Sequence, residues 1–152
     1  MVYLVMIGAS FFTTVFIHLG GGTLITNLVL GLPFPDWGIT LAMFIIVFIM
    51  GAFLDWIGIL MIVVPLFTPI AAALGLNPIW FAMMVIVIMQ TSFLTPPFAY
   101  SIFYLKGIAP PEVQTADIYR GVIPFILLQF IGIALLAIFP QLILWLPSLM
   151  GR

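Results

Sequence analysis

Residues 38–73 read GITLAMFIIVFIMGAFLDWIGILMIVVPLFTPIAAA, and this stretch decides the fold. It is far longer than the roughly 20 residues with which one apolar helix crosses a bilayer, yet short for two complete spans and a loop. Its single charge, Asp55, lies near the middle, close to Gly51. We therefore predict a re-entrant helical hairpin that descends to about Met50, turns at residues 51–55 and returns. A kinked pair of tilted full spans is the alternative.

The segment at residues 79–105 has a break of a different kind. Its helical run is interrupted by Thr91-Ser92-Phe93-Leu94-Thr95-Pro96-Pro97. Neither proline has an amide hydrogen, and a proline disfavours helical geometry in the residue before it. We therefore predict a broken helix in which carbonyls near Ser92 and Phe93 lose their intrahelical partners. The alternative is a proline kink that merely bends a packed helix.

The rest of the sequence predicts two further spans and a loop. Residues 2–32 form a span that ends at a run of three glycines and continues as an arm, which is too short to cross. Residues 106–120 hold four of the chain's charges and form an aqueous loop, and residues 122–146 form the last span. Because Lys106 and Arg120 flank the loop, the positive-inside rule makes it cytoplasmic and puts the C-terminus outside.

The composition places most of the chain in lipid. Of 152 residues, 66% are hydrophobic and 5% charged, whereas a soluble domain carries about a quarter charged residues. The net charge of −1 offers no basic patch for nucleic acid. The sequence has no cysteine, no ligand-spaced partner for its one histidine, His18, and no phosphate-binding loop. We therefore predict an all-α integral membrane protein that is not an enzyme and has no cofactor.

Two places in this fold are candidates for an ion site. The break offers hydroxyl and carbonyl oxygens, the hard ligands that Na⁺ accepts, and the half-helix after it presents a positive dipole end to an anion. Asp55 is costly in lipid, so it must face protein, water or an ion. Its simpler role is to cap the returning hairpin helix through the amides of Ile57 or Gly58. A second, compatible role is to support a cation at the turn.

An ordered set of motifs resembles one family of membrane transport proteins. The motifs are Gly51-Ala52-Phe53-Leu54-Asp55, Val64-Pro65-Leu66-Phe67-Thr68-Pro69-Ile70, Leu74-Gly75-Leu76-Asn77-Pro78, Leu94-Thr95-Pro96-Pro97-Phe98-Ala99, Asp117-Ile118-Tyr119-Arg120-Gly121-Val122-Ile123-Pro124-Phe125 and the closing Phe139-Pro140 to Leu146-Pro147. Together they cover nearly the whole chain. The set resembles the C-terminal part of the large permease subunit of tripartite ATP-independent periplasmic (TRAP) transporters.

The resemblance implies sodium-coupled import of organic acid anions through the bacterial inner membrane. It implies two partners, a small four-helix membrane subunit and a periplasmic substrate-binding protein, and an elevator-type fold of two inverted repeats. The N-terminal repeat of such subunits is missing from this sequence, so we expect half of a transport site. By resemblance, sodium and substrate would bind at these residues: Gly51, Asp55, Ser92, Thr95, Pro96 and Pro97.

Two other functions stay open from the sequence. A different ion-coupled anion symporter could use the same hairpin and broken helix. A non-transporting remnant or assembly partner could keep the fold without the activity. Neighbouring genes for a small four-span protein and a secreted binding protein would favour the TRAP interpretation over both.

Overall fold

The computed structural model describes residues 2–31, 33–54, 56–95 and 99–150. Within these ranges the secondary structure is helical, without strands, in the order α1 (Val2–His18), α2 (Gly21–Leu30), α3 (Asp36–Phe53), α4 (Trp56–Ala73), α5 (Pro78–Ser92), α6 (Tyr100–Ile108), α7 (Thr115–Ile138) and α8 (Gln141–Met150). In the described part, 3 helices are long and apolar enough to cross a membrane, or 4 spans result if the bent α1–α2 pair counts as one. The predicted all-α membrane fold is confirmed.

The predicted span and arm at residues 2–32 correspond to two helices in the structure. α1 ends at His18, α2 begins at Gly21, and the two are bent by 72° relative to each other. Gly20 lies at the corner with φ of 79°, a left-handed conformation that glycine adopts without a Cβ clash. Both helices pack against α4. The glycine run therefore lays the arm beside the second helix of the hairpin.

The hairpin of residues 38–73 consists of α3 and α4. α3 continues through Gly51 to Phe53, so the turn predicted at residues 51–55 begins only after Phe53. The prediction was wrong here because it took Gly51 as a turn residue, whereas this glycine is helical and packs against α5. α3 and α4 have 18 residues each, which makes each about 27 Å long.

A proline in α4 changes the contact of that helix with α1. Pro65 lacks the amide hydrogen that would bond the carbonyl of Met61, four residues earlier. The hydroxyl of Thr13 in α1 donates to this carbonyl oxygen at 2.9 Å. The first span therefore satisfies a backbone group that the hairpin helix cannot satisfy by itself.

Helix α5 lies beside α3 and runs in the same direction. Asn77 caps its start by accepting two amide hydrogens of the first turn. Near that start Phe81 stacks on Phe44 of α3, with ring centroids 5.8 Å apart. Farther along both helices, Gly51 of α3 meets Ser92, the last residue of α5. Because both contacts advance along the two sequences together, α3 and α5 are parallel and end near the same level.

The predicted aqueous loop at residues 106–120 is mostly helical. α6 and α7 extend into it from both sides and leave only residues 109–114 between them. Lys106 lies in the last turn of α6, and Asp117 closes a capping box with Gln114 in the first turn of α7. Charges of these signs are favourable at those helix ends. The cluster of charges therefore marks two helix termini around a short loop.

The predicted last span, residues 122–146, is divided in the structure. α7 ends at Ile138, and after Pro140 the short helix α8 packs against α5 and α7. Proline disfavours helical geometry in the residue before it, so the span ends earlier than its apolar sequence indicates. Pro124 lies inside α7, because that helix begins at Thr115 rather than at residue 122.

Two apolar clusters lie on either side of the break, here defined as residues 93–99 between α5 and α6. The larger cluster joins α3, α4 and α5. The smaller cluster joins Ala99 and Ile102 to Ile118 of α7. Because Ile133 and Leu136 pack against the larger cluster, α7 contacts both. The first half of α7 therefore lies beside α6, and its second half lies beside the hairpin and α5.

Candidate functional site

The structure brings together two of the predicted site residues, Gly51 and Ser92. Both are buried, and no surface of Ser92 is accessible to solvent. A methyl group on Gly51 would lie 2.8 Å from Ser92 Cβ and closer still to Ser92 Oγ, a separation that real Cβ atoms do not show. The backbone of α3 therefore touches the Ser92 side chain directly. Glycine is required at position 51 by this close approach.

Three hydroxyl groups lie where α5 ends, and each donates its hydrogen to the backbone. Thr91 Oγ1 donates to Val87 O at 3.0 Å, Ser92 Oγ to Met89 O at 2.6 Å, and Thr95 Oγ1 to Thr91 O at 3.0 Å. A hydroxyl that gives away its only hydrogen keeps its lone pairs as acceptors. These three hydroxyls can therefore accept hydrogen bonds but not donate them, so they suit a cation better than an anion.

The backbone at the break is more completely bonded than the sequence predicted. The carbonyl of Ser92 accepts from the amide of Thr95 at 3.0 Å, and that of Thr91 accepts from the amide of Leu94 at 3.2 Å. Each bond joins residues three positions apart, so the last turn is tighter than an α-helical turn. The amide of Thr95 thus takes the place of the amide hydrogen that Pro96 lacks. The Ser92 carbonyl, which was predicted to lose its intrahelical partner, therefore accepts this turn hydrogen bond instead. The Ser92 carbonyl keeps a second lone pair for a ligand, whereas the Thr91 carbonyl also accepts from Thr95 Oγ1.

Beyond the break, Ala99 has a left-handed backbone with φ of 35°. This region is costly for residues with a Cβ atom. Ala99 is almost completely buried, and its carbonyl accepts from the amide of Ile102 at 2.7 Å. Backbone of this kind is held by surrounding packing and clusters at ligand sites. No pattern of residues predicts this conformation at position 99, because alanine does not favour it.

Three predicted site residues, Asp55, Pro96 and Pro97, lie outside the described residues. The capping and cation-supporting roles of Asp55 therefore stay predictions. His18 is exposed at the end of α1. Across residues 2–31, 33–54, 56–95 and 99–150, no group of three His, Cys, Asp or Glu side chains could hold a metal ion.

These features together define a class of protein. A hairpin of apolar helices ends beside a helix that is interrupted within its apolar course, and buried hydroxyls line the meeting point. Interrupted helices that meet in this way are the construction of secondary-transporter permeases. The chain has the architecture of an integral membrane permease.

The chain belongs to the family described as the tripartite ATP-independent periplasmic transporter, DctM component, whose family model matches residues 1–142. It is 33% identical over 100 residues to the large permease protein of a sialic acid TRAP transporter from Vibrio cholerae. It is 31% identical over 106 residues to the large permease protein of a C4-dicarboxylate TRAP transporter from the same organism. An ectoine TRAP transporter large permease protein from Halomonas elongata is 31% identical over 115 residues. The family predicted from the motifs is confirmed.

The chain is much shorter than these relatives. The three matched regions cover 66%, 70% and 76% of this chain but 23%, 23% and 26% of the relatives, so the chain spans about a quarter of their length. No solved structure matches the chain at a significant level.

Proposed function

We propose that this chain is the C-terminal part of the large permease subunit of a sodium-coupled secondary transporter. The transporter imports organic acid anions, delivered by a periplasmic substrate-binding protein, through the bacterial inner membrane. A small four-helix membrane subunit is its second partner, and an N-terminal half of the permease completes the site. Two of the relatives are named for sialic acid and C4-dicarboxylate, which supports a carboxylate as the substrate class.

The observation that carries the proposal is the contact between Gly51 and Ser92. It places the end of the hairpin against the break in the α5–α6 helix, so the ends of two interrupted elements lie at one level. Ions and substrates of broken-helix transporters bind where such ends meet. Hydroxyl oxygens supply acceptors for Na⁺ on the α5 side. The first turn of α6, across the break, supplies amide hydrogens and a positive dipole end for a carboxylate.

The depth of this meeting point supports a re-entrant hairpin over two full spans. α7 has 24 residues, which makes it about 36 Å long and able to cross alone. Phe48 of α3 packs against Phe130 of α7 with ring centroids 5.7 Å apart, and α3 ends at Phe53. The end of the hairpin thus lies about 8 Å from the level of Phe130, toward the N-terminus of α7. About 15 Å of α7 extends past the end of the hairpin in that direction. That remaining length of α7 packs against α6.

The experiment tests whether the hydroxyls at the break bind the coupling ion. Thr95→Val keeps the branched shape and both following prolines but removes the hydroxyl. Losing one partner from a buried polar site costs about 1–3 kcal/mol. At about 1.4 kcal/mol per decade, the half-saturating sodium concentration should rise roughly 5- to 150-fold. Thr68→Val is the matched control, because Thr68 is an exposed threonine on α4.

The measurement is sodium-dependent uptake of a labelled carboxylate into proteoliposomes. These contain the full-length large subunit, the small subunit and the loaded binding protein. If Thr95→Val and Ser92→Ala both keep the sodium dependence of the parent and of the Thr68→Val control, neither hydroxyl binds the ion. Uptake that does not respond to sodium in the unmodified transporter would contradict the coupling itself.

A further inference from the structure

Gln129 lies inside α7, and its side-chain oxygen has an unusual environment. Oε1 is buried, and in the described part of the chain it has no hydrogen-bond partner. Buried polar groups have a partner in nearly all native structures, so each exception calls for an explanation. The absence of a partner is especially unfavourable in a membrane helix, where water is not available as a substitute. A ligand that binds this oxygen would explain why a glutamine is tolerated here.

The position of Gln129 on α7 directs it toward the break. It follows Val122, which packs on the smaller cluster, by seven residues and precedes Ile133, which packs on the larger cluster, by four. Residues at these spacings share one face of a helix. All three positions are also partly buried. Gln129 therefore lies between the contacts that α7 makes with the two clusters, which lie on either side of the break.

A second contact fixes the level of Gln129 along the helix. Phe48 of α3 meets Phe130 of α7. Gly51, which touches Ser92, lies three residues after Phe48, about 4.5 Å farther along α3. Because helical side chains lean toward the N-terminus of their own helix, the Gln129 amide reaches from the level of Phe130 toward the level of Ser92.

We propose that Gln129 is a ligand of the coupling cation and supplies an amide oxygen from α7 to the site at the end of α5. This inference rests on the proposed function. The proposed ligands are neutral oxygens from the side chains of Ser92, Thr95 and Gln129. Hard, neutral oxygens at membrane depth suit a monovalent cation, because these ligands bring no charge of their own into the membrane. α7 then contributes to the ion site as well as to the membrane-spanning scaffold.

The test uses sodium alone as the probe and measures thermal stability of the purified full-length large subunit in detergent. The midpoint of unfolding is followed during a titration with sodium chloride, with choline chloride at constant ionic strength. Gln129→Leu removes the amide, and Gln129→Glu keeps an oxygen at the same position. Gln141→Leu is the matched control, because Gln141 is exposed at the start of α8.

We expect Gln129→Leu to raise the sodium concentration at half-maximal stabilisation about tenfold or more, since one ligand is lost. Without sodium this variant should be as stable as the parent or more stable, because an apolar side chain replaces one whose amide oxygen is buried and unpaired. Gln129→Glu should retain the sodium response. A parental sodium midpoint in Gln129→Leu overturns the assignment, and so does a loss of sodium-free stability without a change of midpoint. If sodium does not change the unfolding midpoint of the parent protein, the proposed function on which the inference rests is refuted.

Discussion

The contact between Gly51 and Ser92 gives the most direct test of the site, through the substitution Gly51→Ala. The added Cβ would lie 2.8 Å from Ser92 Cβ, and an ordinary contact begins at 3.4 Å, so the two helices must separate by about 0.6 Å. Rotation of the Ser92 hydroxyl relieves only its own clash, because Cβ is fixed to the backbone. The substitution therefore forces α3 away from α5 at the level of the break.

The expected energy follows from two opposing effects. Overpacking of a close-packed contact costs about 1–3 kcal/mol. Replacing a helical glycine by alanine contributes about 1 kcal/mol of helix propensity in the other direction. Gly58→Ala in α4 is the matched control, because its added Cβ would make only an ordinary contact, 3.8 Å from Val5. Gly51→Ala should thus be about 1–3 kcal/mol less stable than Gly58→Ala.

The assay is thermal unfolding of the full-length large subunit, followed by its sodium titration. Gly51→Ala should unfold at a lower temperature than the Gly58→Ala control and require more sodium for the same stabilisation. The double variant Gly51→Ala/Ser92→Gly removes the opposing side chain, so its stability should recover while its sodium response stays weak. Equal unfolding temperatures for Gly51→Ala and the control would refute the close contact. Recovery of both properties in the double variant would refute a role for the Ser92 hydroxyl.

Two further predictions concern the hairpin and the orientation of the chain. Thr13→Val removes the donor to the Met61 carbonyl. In thermal unfolding it should lower the stability by about 0.6 kcal/mol, and by at most about 1.7 kcal/mol. An equal effect of Thr14→Val, at the exposed neighbouring threonine, would contradict this hydrogen bond. A membrane-impermeant thiol reagent added to whole cells should label Ser148→Cys and leave Glu112→Cys unlabelled, because the positive-inside rule makes the loop after α6 cytoplasmic; labelling of both from outside would contradict this orientation.

The membrane elements were predictable because apolar length and helix breakers are local properties of the sequence. The glycine run after α1 and the Asn-Pro pair before α5 each marked a helix end that the structure confirms. The errors arose where one residue type has two structural meanings. Gly51 is as compatible with a packed helix as with a turn, and only the position of Ser92 decides between them. Likewise, Lys106 suits both a solvated loop and the last turn of a helix.

The candidate site was predictable only in part. Ser92 and Thr95 were identifiable because they immediately precede two prolines at the interruption of an apolar helix. That Ser92 touches Gly51, 41 positions earlier in the sequence, depends on how α3 packs against α5, which no local pattern specifies. Gln129 was missed for a related reason. A lone glutamine in an apolar helix is an ordinary residue until the structure shows its oxygen buried and unpaired.

Three residues in the described part of the chain depart from ordinary local preference. Gly51 is a glycine inside a helix, Ala99 has a left-handed backbone, and Gln129 has an unpaired buried oxygen. Each lowers stability on its own, and each has a substitution that local rules would prefer. Gly51 lies in α3, Ala99 at the end of the break before α6, and Gln129 in α7. Locally unfavourable choices that converge in space are expected where binding, rather than stability, determines the residue. We propose on this ground that the break is a binding site rather than a passive bend in a packed helix.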